Sequence, residues 1–208
     1  MTSPKTRSDL PVRAFASSTE WEDWLAAQPR TSKGVWLKLA KALSGIASVS
    51  KQEAIDGALC HGWIDGQVDK FDANYWLIRF TPRRPNGKWS QLNRERANAL
   101  IKLGRVRPAG MREIEQAKFD GRWHVAYAPP SKAQVPEDLQ SMLDRNPRAK
   151  RHFDRLDSAN RYAILYRVHD AKKPETREQR IEKYVAMLSR GETIHPRSRT
   201  RKNRRLVK

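Results

Sequence analysis

The 208-residue chain reads as an α+β protein: N-terminal helices with a small antiparallel sheet, followed by a C-terminal helical subdomain. Three observations predict this. Capped helix starts recur along the chain, at Ser17 or Ser18, Ser50, Ser90 and Pro108. Short apolar runs between residues 34 and 80 are bounded by turn residues, as strands are. Beyond residue 136 the apolar period is helical throughout.

The elements follow in order. Residues 1–12 read as a flexible lead-in. A helix runs from Ser17 or Ser18 to about Gln28, with Trp21, Trp24 and Leu25 on one face. Gly34–Ala40 is a strand. Ser50-Lys-Gln-Glu53 is a capping box, in which hydroxyl and carboxylate each satisfy a free backbone donor. Its helix turns Ala54, Ala58 and Leu59 inward and stops at Gly62, a residue suited to left-handed backbone. Residues 63–69 and 74–80 form two further strands, paired through a turn at 70–73. Helices from Ser90 to about Leu103 and from Pro108 to about Phe119 close at Gly104 and Gly121. The proline-containing stretch 124–135 separates a domain at 13–123 from a helical subdomain at 136–191. There, 136–145, 147–156, 158–171 and 175–190 read as helices, the last with the stripe Ile181, Tyr184, Val185 and Leu188. A basic tail, 192–208, ends the chain.

Charge is the strongest compositional signal. The net charge is +19, and residues 197–208 alone contain seven Lys or Arg. Such a segment attracts phosphate backbones by counterion release, so Arg197, Arg199, Arg201, Lys202, Arg204 and Arg205 are candidates for weak, non-specific nucleic-acid binding. No helix-turn-helix, zinc-finger or RNA-recognition pattern accompanies them. A single Cys excludes an internal disulfide and a Cys-rich zinc site. There is no transmembrane run of apolar residues and no apolar secretory core near Met1, so the cytoplasm is the expected location.

The densest chemistry lies between residues 58 and 93. Cys60-His61 suggests a thiol and its base, but helix neighbours point about 100° apart and do not readily meet. Cys60 is read as a small core residue and His61 as a helix-end cap. Asp65, Asp69 and Asp72 lack the spacing of a metal loop, Glu53, Glu113 and Glu115 read as solvated helix charges, and no cofactor is implied. The cationic set is more suggestive. Arg79 ends a strand, Arg83 and Arg84 follow in a proline-braced loop, and Ser90 opens a helix whose free N–H groups favour anions. One reading makes this a pocket: Arg79 and Arg83 hold an anionic group, Ser90 and Asn93 complete it, Trp63 and Trp89 line it, and Asp65 sits alongside. The competing reading is a structural network, with Asp65 neutralising Arg79 and the tryptophans in the core.

Here a resemblance enters. Ala58-Leu-Cys-His-Gly-Trp-Ile-Asp-Gly66, Arg79-Phe-Thr-Pro-Arg-Arg84, Trp89-Ser-x-x-Asn93, Gly104 and Gly110 resemble the YdeI/OmpD-associated, or bacteriocin-protection, family. Val135-Pro-x-Asp-Leu139, Phe153-x-x-Leu156 and Ala171-Lys-Lys-Pro-Glu-Thr-Arg-x-x-Arg-Ile181 add to it, so that similarity spans roughly residues 12–191. The resemblance implies tolerance of antimicrobial peptides and a link to an outer-membrane porin, and it carries no catalytic residue set. The expected role is therefore non-catalytic: stress tolerance through binding an anionic small molecule or a protein partner. Nucleic-acid binding through the tail, and an enzyme of unknown reaction, are the alternatives.

Overall fold

The computed structural model describes residues 9–196. The chain divides into two compact units, one ending at Ala126 and the other beginning at Tyr127.

In the first unit, β1 (Val12–Ala14), α1 (Ser18–Ala26), β2 (Val35–Ala40), α2 (Lys51–Cys60), β3 (Trp63–Lys70) and β4 (Tyr75–Pro82) precede α3 (Gln91–Lys102) and α4 (Pro108–Phe119). The strands form one sheet in the order β1-β2-β4-β3. The sheet is mixed, which corrects the expectation of an antiparallel one: β1 runs parallel to β2, while β4 is antiparallel to both β2 and β3. A parallel neighbour needs a crossover, and α1 supplies it. β1 escaped the sequence reading because all three of its residues are exposed, leaving no inward alternation to detect. Pro11 and Val12, expected in a flexible lead-in, are tied to this edge: Trp36 N–H donates to the Pro11 carbonyl at 2.9 Å.

Local chemistry explains the helix starts. The Ser17, Ser50 and Ser90 hydroxyls accept from the backbone N–H of Glu20, Glu53 and Asn93. At Ser50 the reciprocal bond is present as well: its N–H donates to the Glu53 carboxylate at 2.9 Å, and these bonds hold that carboxyl below its usual range. The core between sheet and helices is aromatic. Trp21 stacks on Trp24 at 5.4 Å and tilts against Phe80 at 5.2 Å, and Trp24 meets Trp63 edge-on at 5.7 Å. Each such pair contributes about 0.5–1.5 kcal/mol beyond area burial. The buried indole N–H of Trp21 donates to the Ala54 carbonyl at 3.0 Å, pinning α1 to α2.

The second unit is helical: α5 (Glu137–Asp144), α6 (Pro147–Asp154), α7 (Ser158–His169) and α8 (Pro174–Ser189). Its core is mainly aliphatic, built from residues such as Leu139, Leu143, Ile164, Val168, Ile181 and Leu188, with Phe153 among them. Buried Asn160 ties down the chain after α8: it accepts from His195 N–H at 2.8 Å and donates to the His195 carbonyl at 3.2 Å. No described helix is long and apolar enough to cross a membrane.

Candidate functional site

Two glycines bring the site together. Gly62 follows α2 with φ +76°, the left-handed conformation expected of it. Gly110 lets α4 lie against the end of α2; a Cβ there would stand 2.3 Å from the Cys60 carbonyl oxygen. One turn further along α4, Glu113 reaches Gly62 and is 9% exposed. Its carboxylate accepts from the Arg30 guanidinium at 2.9 Å. Gly62 also accepts from Arg83 N–H at 2.9 Å, which fixes the start of the loop after β4. The far end of that loop is braced where Arg122, gripping Asp120, donates to the Gly87 carbonyl at 2.7 Å.

Arg83 and Trp63 therefore line one hollow of about 90 Å³, together with His61, Arg30 and Glu113. Arg83 is 7% exposed, and its guanidinium carbon lies 3.5 Å from the centre of the Trp89 ring. That is a cation–π stack. Trp89 is itself buried and meets Trp123 edge-on at 4.8 Å, so the platform beneath Arg83 is rigid. His61 has one ring nitrogen 2.9 Å from the Gly57 carbonyl. A carbonyl only accepts, so Nδ1 carries a proton in this contact.

The remaining candidates lie elsewhere. Asp65 stands opposite Phe80 in the β3–β4 register, whereas Arg79 stands opposite Trp36 in β2. Residues directly opposite share a face and chain neighbours alternate, so Asp65 and Arg79 point to different faces of the sheet. They form no ion pair among the described residues. Arg79 instead leans over Gly66 and donates to Gln67 at 3.4 Å, and its Nε is buried without a hydrogen bond. Arg79 is not among the residues that line the hollow beside Arg83. The Ser90 hydroxyl is engaged with Asn93 N–H at 3.1 Å, as the cap of α3. Asp72 closes the hairpin turn by accepting from the N–H groups of Asn74 and Tyr75. Among the described residues no group of three or more His, Cys, Asp or Glu is placed to hold a metal ion. Arg197, Arg199, Arg201, Lys202, Arg204 and Arg205 lie outside the described residues.

Cys60 is fully buried, and loss of solvation pushes its thiol up to about 11. It supplies no thiolate near neutrality and packs as part of the core.

The geometry thus defines a two-unit α+β protein whose first unit carries a small cationic hollow with a tryptophan platform under it. Residues 132–191, within the second unit, match the family described as Bacteriocin-protection, YdeI or OmpD-Associated, the family that the sequence resembles. The N-terminal motifs of that resemblance lie in residues 13–113, which match a separate family, a domain of unknown function (DUF8412). Comparison with curated proteins and with solved structures gave no match.

Proposed function

We propose that the first unit captures the anionic group of a small molecule in the hollow between Trp63 and Arg83, and that the chain acts by binding rather than by catalysis. The observation that carries this reading is the placement of Arg83: a buried planar cation, held on Trp89 at 3.5 Å, in the wall of a hollow of about 90 Å³. A guanidinium already stripped of bulk water and locked by stacking meets an anion with little further ordering cost. The lining is cationic, since Arg30 and Arg83 stand against the single carboxylate of Glu113, already bonded to Arg30. The space suits a carboxylate, phosphate or sulfate head group, being well below the roughly 300–1,000 Å³ of sites for drug-sized ligands. The family described for residues 132–191 supports placing this binding in a protective role against bacteriocins.

Titration with inorganic phosphate, followed by tryptophan fluorescence, tests the reading, because Trp63 lines the hollow and Trp89 lies under Arg83. The intact chain should give a saturable change. Arg83→Ala should weaken it at least about tenfold, or roughly 1.4 kcal/mol, with the circular dichroism of the folded protein retained. Arg79→Ala, on the other face of the sheet, should leave it unchanged. An equal response in Arg83→Ala and the intact chain, or none in the intact chain, overturns the proposal.

A further inference from the structure

The second unit has a hollow of its own, a groove of about 310 Å³ between α5 and α8. Met142, Pro174 and Ile181 give it an apolar lining. At one side Arg177 grips Asp138 with both arms of its fork, at 2.5 and 2.9 Å, so these two charges cancel. Glu178 and Glu182, exposed and one turn apart on α8, also line the groove and make no ion pair among the described residues. The groove is therefore acidic by two charges in a chain whose net charge is +19. An apolar bed with a doubled carboxylate rim selects a segment that sets aliphatic side chains beside cations.

The chain carries such a segment. Arg204-Arg205-Leu206-Val207-Lys208 lies beyond Pro196, the last described residue, and His195 just before it is anchored on Asn160 at the start of α7. Leu206 is ten steps along the chain from Pro196, a stretch that spans up to about 33 Å when extended. The 16 residues of α8 make a helix about 24 Å long, shorter than that tether. We propose that residues 204–208 dock into the α5–α8 groove of their own chain, with Leu206 and Val207 over Met142 and Ile181, and with Arg204 and Arg205 against Glu178 and Glu182. Tethering makes the encounter intramolecular, at an effective concentration that compensates for few contacts. Docking holds the end of the tail back from competing polyanions, so that the two ligands of the tail exclude each other.

A nitroxide attached through Lys208→Cys tests this in the intact 208-residue chain, where the single native cysteine is buried. The methyl resonances of Met142 and Ile181 should lose intensity and regain it when the nitroxide is reduced. The loss should vanish in a Glu178→Lys, Glu182→Lys variant. It should also fade when salt rises from about 0.1 to 1 M, which shortens the screening length from about 10 to 3 Å. Three results overturn the proposal: methyl groups untouched by the label; broadening that survives the charge reversal; or broadening of an unlabelled, isotope-enriched chain by a labelled neighbour, which would mean docking between copies.

Discussion

The two units solve the same packing problem with different materials. All seven tryptophans fall between residues 21 and 123, whereas the second unit fills its core mainly with Leu, Ile and Val and with Phe153. Large aromatic plates stack at defined angles and leave hollows at their edges, and the hollow beside Trp63 is one of these. They also give a buried cation somewhere to lie, as Arg83 does on Trp89. The helical unit sets Arg161 over the Phe153 ring at 4.4 Å, but others of its arginines go to carboxylates and helix-end carbonyls: Arg177 grips Asp138 and Arg180 reaches the Arg167 carbonyl. The comparison teaches that in this chain the built polar pocket goes with the aromatic core. The aliphatic core leaves its chemistry on the outside.

Three perturbations would break or sharpen this contrast. The largest effect is expected from Phe153→Ala, which empties the helical core and should cost about 3–5 kcal/mol. Urea unfolding followed by circular dichroism should show the loss, while tryptophan emission, which reports only on the first unit, keeps its transition. A parallel shift of both signals would make the two cores one cooperative block and end the contrast. Gly110→Ala should come next, at about 1–3 kcal/mol. Its Cβ would meet backbone oxygen at 2.3 Å, and the tryptophan transition is where the effect should appear. The smallest effect concerns Asp138, whose carboxyl is held below its ordinary value by the hydrogen bonds from Arg177. A depressed folded pKa stabilises the fold above the unfolded value of about 3.9, and that stability is lost as pH falls through the folded one. Asp138→Asn should therefore flatten the acid limb of the helical signal, by the roughly 0.2–1 kcal/mol of an exposed pair.

Local rules made most of the elements legible. Ser50 with Glu53, Pro108 and the left-handed Gly62, Gly104, Gly121 and Gly191 marked helix ends that the structure keeps within a residue or two. Strands β2, β3 and β4 were visible because each has an apolar run bounded by turn residues. What escaped was non-local. Nothing in Val12-Arg13-Ala14 announces a strand, because its partner β2 lies two dozen residues away and supplies the pairing. For the site, Trp63 and Arg83 line one hollow, and Arg79 is not separable from Arg83 in the sequence without knowing which face of β4 it takes.

Two of the residues that complete the hollow were legible in principle. Glu113, read as a solvated charge, falls with Gly110, Ile114 and Ala117 on the buried face of α4, at i, i+3, i+4 and i+7. A carboxylate on that stripe requires a partner, and Arg30 meets it. His61 had been assigned only a capping role, and its Nδ1 contact with Gly57 agrees with this; the same ring also lines the hollow. Arg30 had no signal of its own, since it follows α1 in a polar turn and is brought to Glu113 only by tertiary folding.

The borders of the sheet have a consequence for behaviour at high concentration. On one side the outermost strand is only three residues long, and on the other the pairing slips between Asp65 and Val68 in a strand that ends on Asp69 and Lys70. A short margin and an irregular, charged one are both poor templates for another molecule's backbone. A crowded solution of this protein should therefore resist growing fibrils from its native state, despite a sheet rich in Trp, Leu and Ile.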